Sequence, residues 1–407
     1  MTAPTPLLRL KGSSITRTTP LEEHAMRFFS LILLLGTIPV GRAADLARMP
    51  PNTWIPIRYK TEQLAGSREK GMFAPQGWNK LVYDPDGKRV LFYDRWIDKK
   101  HGGWTIYGNC LFALDPAAGT LTPVKVDNWS KKDTKQGGYR TFALPENDKE
   151  PTPSPRHVYH AFVYASALKS LFICNGANQT ILAKDGKLVG HDMCDGAWRL
   201  DLRTKKWSRI NSPTKAPPNV LDDAMDYCPD TNSLIYAGSN RQIWILDLKT
   251  NRWRKAKQSP PTRAACGQTI FYDPTTRRML IVGGGQLDAW KKGKAKAFYE
   301  LYIFDPKTET VRKAADCPTA FYSTHMAYDS KHRLFVAVVL FNGKEHPSGM
   351  FCYDPKKDKW HEIKPKNAIP PYRSWFGWMK LCYDSHNDCL VGMTGDKFYA
   401  FRYVPAK

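Results

Sequence analysis

At 407 residues, 42% hydrophobic and 12% aromatic, the chain has enough apolar content for a large core, which excludes a disordered tail or a small disulfide-stapled module. Its 61 Lys and Arg against 38 Asp and Glu give a formal net charge of +23, and a charge of that size concentrates anions around the surface. No basic helix, aromatic-basic RNA signature or zinc finger accompanies it, so nucleic acid is not the expected partner.

The first informative stretch is Met26-Arg27, followed by thirteen mostly apolar residues to Val40 and then Gly41-Arg42-Ala43. One positive charge, a short apolar run and a small-x-small end have the layout of a secretory signal, with residues 1–25 as an upstream extension. The competing reading is a buried helix over 28–40. The run is too short for a comfortable membrane span, so none is expected in the mature chain. Cleavage after Ala43 would leave 44–407 as a single domain in a secreted or periplasmic protein. It removes five basic and two acidic residues, leaving a net charge of +20.

From residue 52 onward the chain repeats itself. Asn52-Thr-Trp-Ile-Pro-Ile57 has the pattern of Lys206-Trp-Ser-Arg-Ile210 and Lys359-Trp-His-Glu-Ile363. Tyr-Asp or a variant then appears at Tyr83, Tyr164, Tyr227, Tyr272, Tyr328 and Tyr383, each ahead of an apolar run around Leu91, Leu171, Leu234, Leu280, Leu334 or Leu390. Later in the copies comes a second apolar-Asp pair, at Leu114-Asp115, Leu200-Asp201, Leu246-Asp247, Phe304-Asp305 and Tyr353-Asp354, followed in three of them by Trp207, Trp253 or Trp360. Four apolar runs with turn residues between them predict a four-stranded meander. A sheet of that kind cannot bury both faces alone, so copies recurring every 45 to 80 residues or so predict a propeller. The expected blades span about 78–129, 155–211, 216–257, 260–316, 319–364 and 373 to the end. The sixth lacks an outer strand, and the Trp54 segment is expected to supply it by pairing near 398–403, which removes two open edges.

Gly283-Gly284-Gly285 after an apolar strand, the Asp-x-x-Thr turns at Asp201, Asp247 and Asp305, and the Trp that follows two of them resemble Kelch repeats, the superfamily of the galactose oxidase propeller. The paired glycines are reduced to Asn175-Gly176 and Ala237-Gly238 in blades two and three and are missing from the first and fifth. The resemblance implies an all-β, six-bladed, Kelch-like β-propeller closed by an N-terminal outer strand. Seven blades is the alternative, with 131–152 as a degenerate sheet.

Nine cysteines leave at least one unpaired in an exported chain. Cys110, Cys228, Cys266 and Cys352 sit in apolar runs and are expected to be buried thiols. Cys382 and Cys389 flank one turn and Cys174 and Cys194 bracket one insertion, so either pair could be bridged. No Cys or His spacing suits zinc or iron. The two His, two Tyr and Cys of a copper oxidase cannot be matched position by position, so no metal or cofactor is expected.

Two features point to where a ligand would sit. The connections between second and third strands are unequal: 94–109 holds Trp96, His101 and Trp104; 175–196 has a hairpin signal at Asp185-Gly186; 286–296 holds Trp290, Lys291, Lys292, Lys294 and Lys296. Long loops that a compact repeat does not need usually carry function. Four residues before each marker Tyr stand Asn79, His160, Asp223, Gln268, Thr324 and Met379, a mostly polar column in apolar strands, with Arg156, His157, Arg263, His325 and Arg373 close by. Such a column either grips a carboxylate-bearing ligand at the channel mouth or merely satisfies backbone groups and ordered water between blades. The resulting expectation is an exported, monomeric binding protein for an acidic glycan or an acidic protein surface. The alternative is a carbohydrate-active enzyme (isomerase, lyase or oxidase) using His160, Asp223 and Arg263.

Overall fold

The apolar runs and Asp-containing turns fold each repeat into an antiparallel meander, as blade three illustrates. Its strands Ala224–Cys228, Ser233–Ala237, Ile243–Asp247 and Arg252–Lys255 pair in sequence order. The second strand is buried at all five positions, whereas the outermost buries only Trp253. This is the gradient expected of a sheet whose inner edge faces the centre of a ring. The structure, a computed structural model, describes residues 45–61, 72–73, 80–94, 96–97, 110–126, 130–136, 139–143, 153, 158–176, 180–182, 188–190, 196–218, 223–238, 242–261, 266–285, 298–319, 321, 326–339, 349–371 and 379–405.

Six such sheets form the blades of a propeller. Their innermost strands are Leu81–Asp84, Phe162–Ala165, Ala224–Cys228, Cys266–Asp273, Met326–Asp329 and Lys380–Asp384. Buried apolar residues fall into layers between neighbouring blades. Blades two and three, for example, share Phe172, Met225, Tyr236 and Trp244. The layer that shuts the ring packs Val391, Met393 and Phe398 of blade six against Leu81, Phe92 and Phe112 of blade one. Burial between blades, rather than within one, therefore holds the sheets together.

The latch forms where the sequence predicts it. Trp54–Ile57 pairs antiparallel with the last strand, Trp54 opposite Phe401 and Ile57 opposite Phe398. Asn367 fixes the Trp54 backbone from both sides, accepting from its N–H at 2.8 Å and donating to its carbonyl at 2.8 Å. Arg402 donates to the carbonyls of Leu46 (2.6 Å), Ala47 (3.2 Å) and Met49 (3.3 Å) ahead of the latch and to that of Asn387 (2.9 Å) in blade six.

Three features depart from the sequence expectations. Lys60–Thr61 continues past the latch and adds a fifth strand to blade one, parallel to Thr120–Leu121. The expected count of six blades holds over the seven-blade alternative, since the described part of 131–152 does not form a blade. Ser130–Gln136 and Tyr139–Ala143 instead join Thr180–Leu182 and Leu188–Gly190 in a mixed sheet whose central pair is parallel. Finally, Cys382 and Cys389 are free, buried thiols. Cys382 stands opposite Val391, two residues out of register with Cys389. Diagonal neighbours of that kind lie about 7–8 Å apart, beyond the usual disulfide span. Cys228 and Cys352 are also buried, free thiols, and Cys110 and Cys174 are buried. Cys194 and the Cys266 side chain lie outside the described residues. Among the described residues no helix is long and apolar enough to cross a membrane.

Candidate functional site

The two faces of the ring are built differently. On one face, first-to-second and third-to-fourth strand connections are uniformly four residues long, as at 85–88, 229–232, 248–251, 306–309 and 385–388. A carboxylate caps most of these turns: Asp247 accepts from the N–H of Lys249 (2.7 Å) and Thr250 (3.0 Å), Asp384 from His386 (3.0 Å) and Asn387 (3.1 Å). The last turn residue takes a left-handed conformation, as at Asn232, Asn251, Glu309 and Asp388. Three of the marker tyrosines reach from one blade into the turn of the blade before. Tyr164 donates to Asp84 of blade one (3.0 Å), Tyr272 to Asp230 of blade three (2.6 Å), and Tyr328 meets Thr275 of blade four at 2.6 Å. Tyr227 of blade three and Tyr383 of blade six instead donate to Asn232 (3.0 Å) and Asp388 (2.7 Å) of their own turns. In three copies the Tyr is thus an inter-blade clasp.

The opposite face carries the second-to-third connections, which run from two residues between Thr394 and Lys397 to twenty-two between Cys174 and Ala197. The strands flanking Asp185-Gly186 pair antiparallel, and one of them bonds to the segment joining blades one and two. The Gly283-Gly284-Gly285 run ends the second strand of blade four on this face. Gly283 has φ +62°, and a β-carbon there would lie 2.2 Å from the Phe321 carbonyl. That carbonyl accepts from the Gly284 N–H at 2.7 Å. In blade two Asn175 supplies the left-handed residue, φ +49°.

Of the sequence-predicted site residues, His160, Asp223 and Gln268 lie within the described structure. Asn79, Trp104, Arg156, His157, Arg263, Lys291, Lys292, His325 and Arg373 lie outside the described residues. The three form a buried arc at the loop-bearing end of successive inner strands, with relative exposures of 5%, 1% and 0%. Backbone bonds tie the first two: His160 N–H donates to the Asp223 carbonyl (3.1 Å), and Met225 N–H to the His160 carbonyl (3.2 Å). The Asn175 amide donates to the Tyr236 hydroxyl at 2.9 Å, and that hydroxyl donates to the Asp223 carboxylate. Burial and the Asp223 charge push the Tyr236 pKa up. Gln268 donates to the Gly238 carbonyl, while its Oε1 is buried with no hydrogen-bond partner.

Two buried cations complete the arc, and neither was among the predicted site residues. Lys80 of blade one and Lys380 of blade six are 7% and 2% exposed. Lys80 Nζ stands 3.7 Å from Asp226 Oδ1 of blade three and 5.2 Å from the centre of the Phe271 ring of blade four. A side chain from blade one that touches blades three and four must cross the axis. Burial, followed by the charges of Lys80 and Lys380, holds the His160 imidazole down to about 3, so it is neutral throughout the physiological range. A signal for both lysines does exist in the chain: Gly77-Trp-Asn-Lys80-Leu-Val-Tyr-Asp84 and Gly377-Trp-Met-Lys380-Leu-Cys-Tyr-Asp384 are near copies. Among the described residues no group of His, Cys, Asp and Glu is arranged to hold a metal ion.

Comparison with known proteins agrees with this architecture. Among solved structures the chain is similar to a novel fungal alcohol oxidase of the AA5 family in complex with copper, at 12% identity and a TM-score of 0.49, covering 81% of this chain and 65% of that one. The chain therefore spans just under two thirds of that oxidase, and a likeness this distant carries no argument about copper or alcohol oxidation. No curated protein matches the chain. The KLHDC2/KLHL20/DRC7 Kelch-repeats domain matches residues 160–390, from the His160 arc to the start of the second strand of blade six. That match takes in more than half of the chain, and the protein belongs to this Kelch-repeat family.

Proposed function

We propose that the protein is an exported Kelch propeller that binds an acidic glycan across its loop-bearing face. The observation that carries this reading is the asymmetry of the ring: every long second-to-third connection leaves from one face, while the other has only short, capped turns. In sequence, the connection over 286–297 holds Trp290, Lys291, Lys292, Lys294 and Lys296 and that over 95–109 holds Trp104, residue types that stack on sugar rings and pair with carboxylates. Export rests on the signal-like run ending at Ala43.

Binding is favoured over turnover by the state of the candidate acid-base pair. His160 and Asp223 are nearly inaccessible, and Asp223 accepts from Tyr236. The test is titration of the purified protein with polygalacturonate at rising salt. Affinity should fall steeply with ionic strength and by about tenfold or more when Lys291, Lys292, Lys294 and Lys296 are changed to Gln. Salt-independent binding sinks the reading. Tight binding of an acidic protein with none of the glycan replaces it. Glycan turnover that His160→Ala abolishes, with folding intact, puts an enzyme in its place.

A further inference from the structure

We propose that the outer edge of blade three is a binding surface for a linear sulfated polysaccharide. From Leu248 to Pro261 the chain holds five cations, Lys249, Arg252, Arg254, Lys255 and Lys257, and no Asp or Glu. All five are exposed. They occupy the last turn, the outermost strand Arg252–Lys255 and the residues just after it, on the perimeter of the ring rather than at its mouth. The segment that enters blade three lies along the open side of this strand. The Trp253 N–H donates to Ser212 Oγ (3.3 Å), and the Trp253 carbonyl accepts from Thr214 Oγ1 (2.7 Å). Exposed Lys215 follows directly and makes a sixth cation.

Two carboxylates adjoin the group. Asp247, opposite Arg252 in the strand register, caps the turn by accepting from the N–H of Lys249 and Thr250. Glu309 of blade four accepts from Arg254 Nη1 (2.6 Å) and from the Lys257 N–H (2.9 Å). Six cations against two carboxylates leave four positive charges in excess. The neighbouring outer stretch of blade two, 201–218, which includes Lys215, holds five cations against the single carboxylate of Asp201, and Arg203 pairs with that one. On the other side, 305–319 of blade four balances three cations with three acidic residues. Two of those cations are paired, Arg312 with Asp358 and Lys313 with Asp316. The excess is therefore local, not an even share of a basic chain.

The chemistry of the edge selects the partner. Trp253 is buried, and so is Trp244, whose ring centre lies 5.3 Å from Lys255 Nζ. The exposed large apolar residues among the described ones, Tyr299 and Val404, are not on this strand. A protein partner needs an apolar core to its interface, and a single-stranded nucleic acid needs aromatic faces for its bases. The edge offers neither. Ser212 and Thr214 also occupy backbone groups that an added strand would pair with. What remains is charge spread along an extended strand, with alternate side chains about 7 Å apart, in a Lys/Arg-rich run of the kind that recurs in polyanion sites. Guanidinium and ammonium groups pair well with sulfate oxygens.

Heparin is the probe. Its affinity for the purified protein should fall by about tenfold or more when Lys249, Arg252, Lys255 and Lys257 are changed to Gln; Arg254 is kept because it holds Glu309. A blade-five variant with the same loss of charge, Lys356, Lys357, Lys359 and Lys364 to Gln, should stay within about twofold, since distant exposed charges are screened. Lysine-modification footprinting should show heparin protecting Lys215, Lys249, Lys255 and Lys257. Equal losses in the two variants, or protection confined to the lysines at 291–296, overturns the proposal. Duplex DNA binding as tightly as heparin at matched salt also overturns it, because the edge is then an unselective polyanion surface. Should the blade-three variant not fold, the footprint on the unaltered protein decides. Polygalacturonate binding by the variant at 291–296 is scored separately, so this edge and the loop-bearing face can fail independently.

Discussion

The two faces of this ring use polar side chains for opposite ends. On the short-turn face, Asp84, Asp230 and Thr275 engage Tyr164, Tyr272 and Tyr328 across blade boundaries. On the loop-bearing face, connection lengths differ about tenfold between blades and Lys80 reaches across to Asp226 of blade three. The difference teaches that a recurring polar residue in a repeat protein is most often a fastening.

The comparison breaks most completely if the ring opens. Deleting residues 45–57 removes Trp54 and Ile57, each 4% exposed, together with Leu46, Met49 and the partners of Arg402. Losing several buried side chains at about 2–5 kcal/mol apiece exceeds the usual 5–15 kcal/mol of stability. Calorimetry of the truncated chain should show no cooperative transition.

A smaller effect belongs to the loop-bearing end. The folded pKa of His160 is near 3, against an ordinary 6.5, so the unfolded chain binds the proton first as pH falls. Its contribution is therefore fully present above about 6.5 and is lost progressively down to about 3, on the order of 5 kcal/mol in all. Urea titrations across that window should show this part of the acid dependence missing in His160→Gln.

Next come the glycines. Gly283→Ala should cost about 3 kcal/mol, because a left-handed backbone and contact with the Phe321 carbonyl combine. Gly395 has a similar φ of +56° with open space around it, and its Ala variant should cost about 1 kcal/mol. Equal losses in the two would show that packing against blade five contributes nothing.

The smallest effect sharpens the contrast between faces. Tyr272→Phe leaves Asp230 with Arg277 but removes one clasp, for a loss of about 1–2 kcal/mol. Neutralising Lys291, Lys292, Lys294 and Lys296 should leave the melting temperature unchanged while lowering polyanion affinity. A variant that moves stability and leaves binding alone would reverse the assignment of the two faces.

Much of the architecture was legible in the chain because each blade pairs strands that are consecutive in sequence. An apolar second strand, a capping Asp and a left-handed turn residue are local properties, and they recur from copy to copy. The latch was legible for the same reason: Trp54 to Ile57 is an outer strand out of place, and the last blade lacks one. What depended on closing the ring could not be read locally. The parallel pairing of Thr141–Ala143 with Thr180–Leu182 joins segments from two different connections, and no repeat unit encodes it. The bridge between Cys382 and Cys389 failed on a two-residue offset in register, which proximity in sequence conceals. His160, Asp223 and Gln268 were found as a column, but their burial and their mutual bonds arise between blades. Lys80 and Lys380 stood in plain view as a repeated octamer. Only the closed ring brings the Lys80 amine, rooted in blade one, to a carboxylate of blade three, because six inner strands around one axis place distant residues within a side chain's reach.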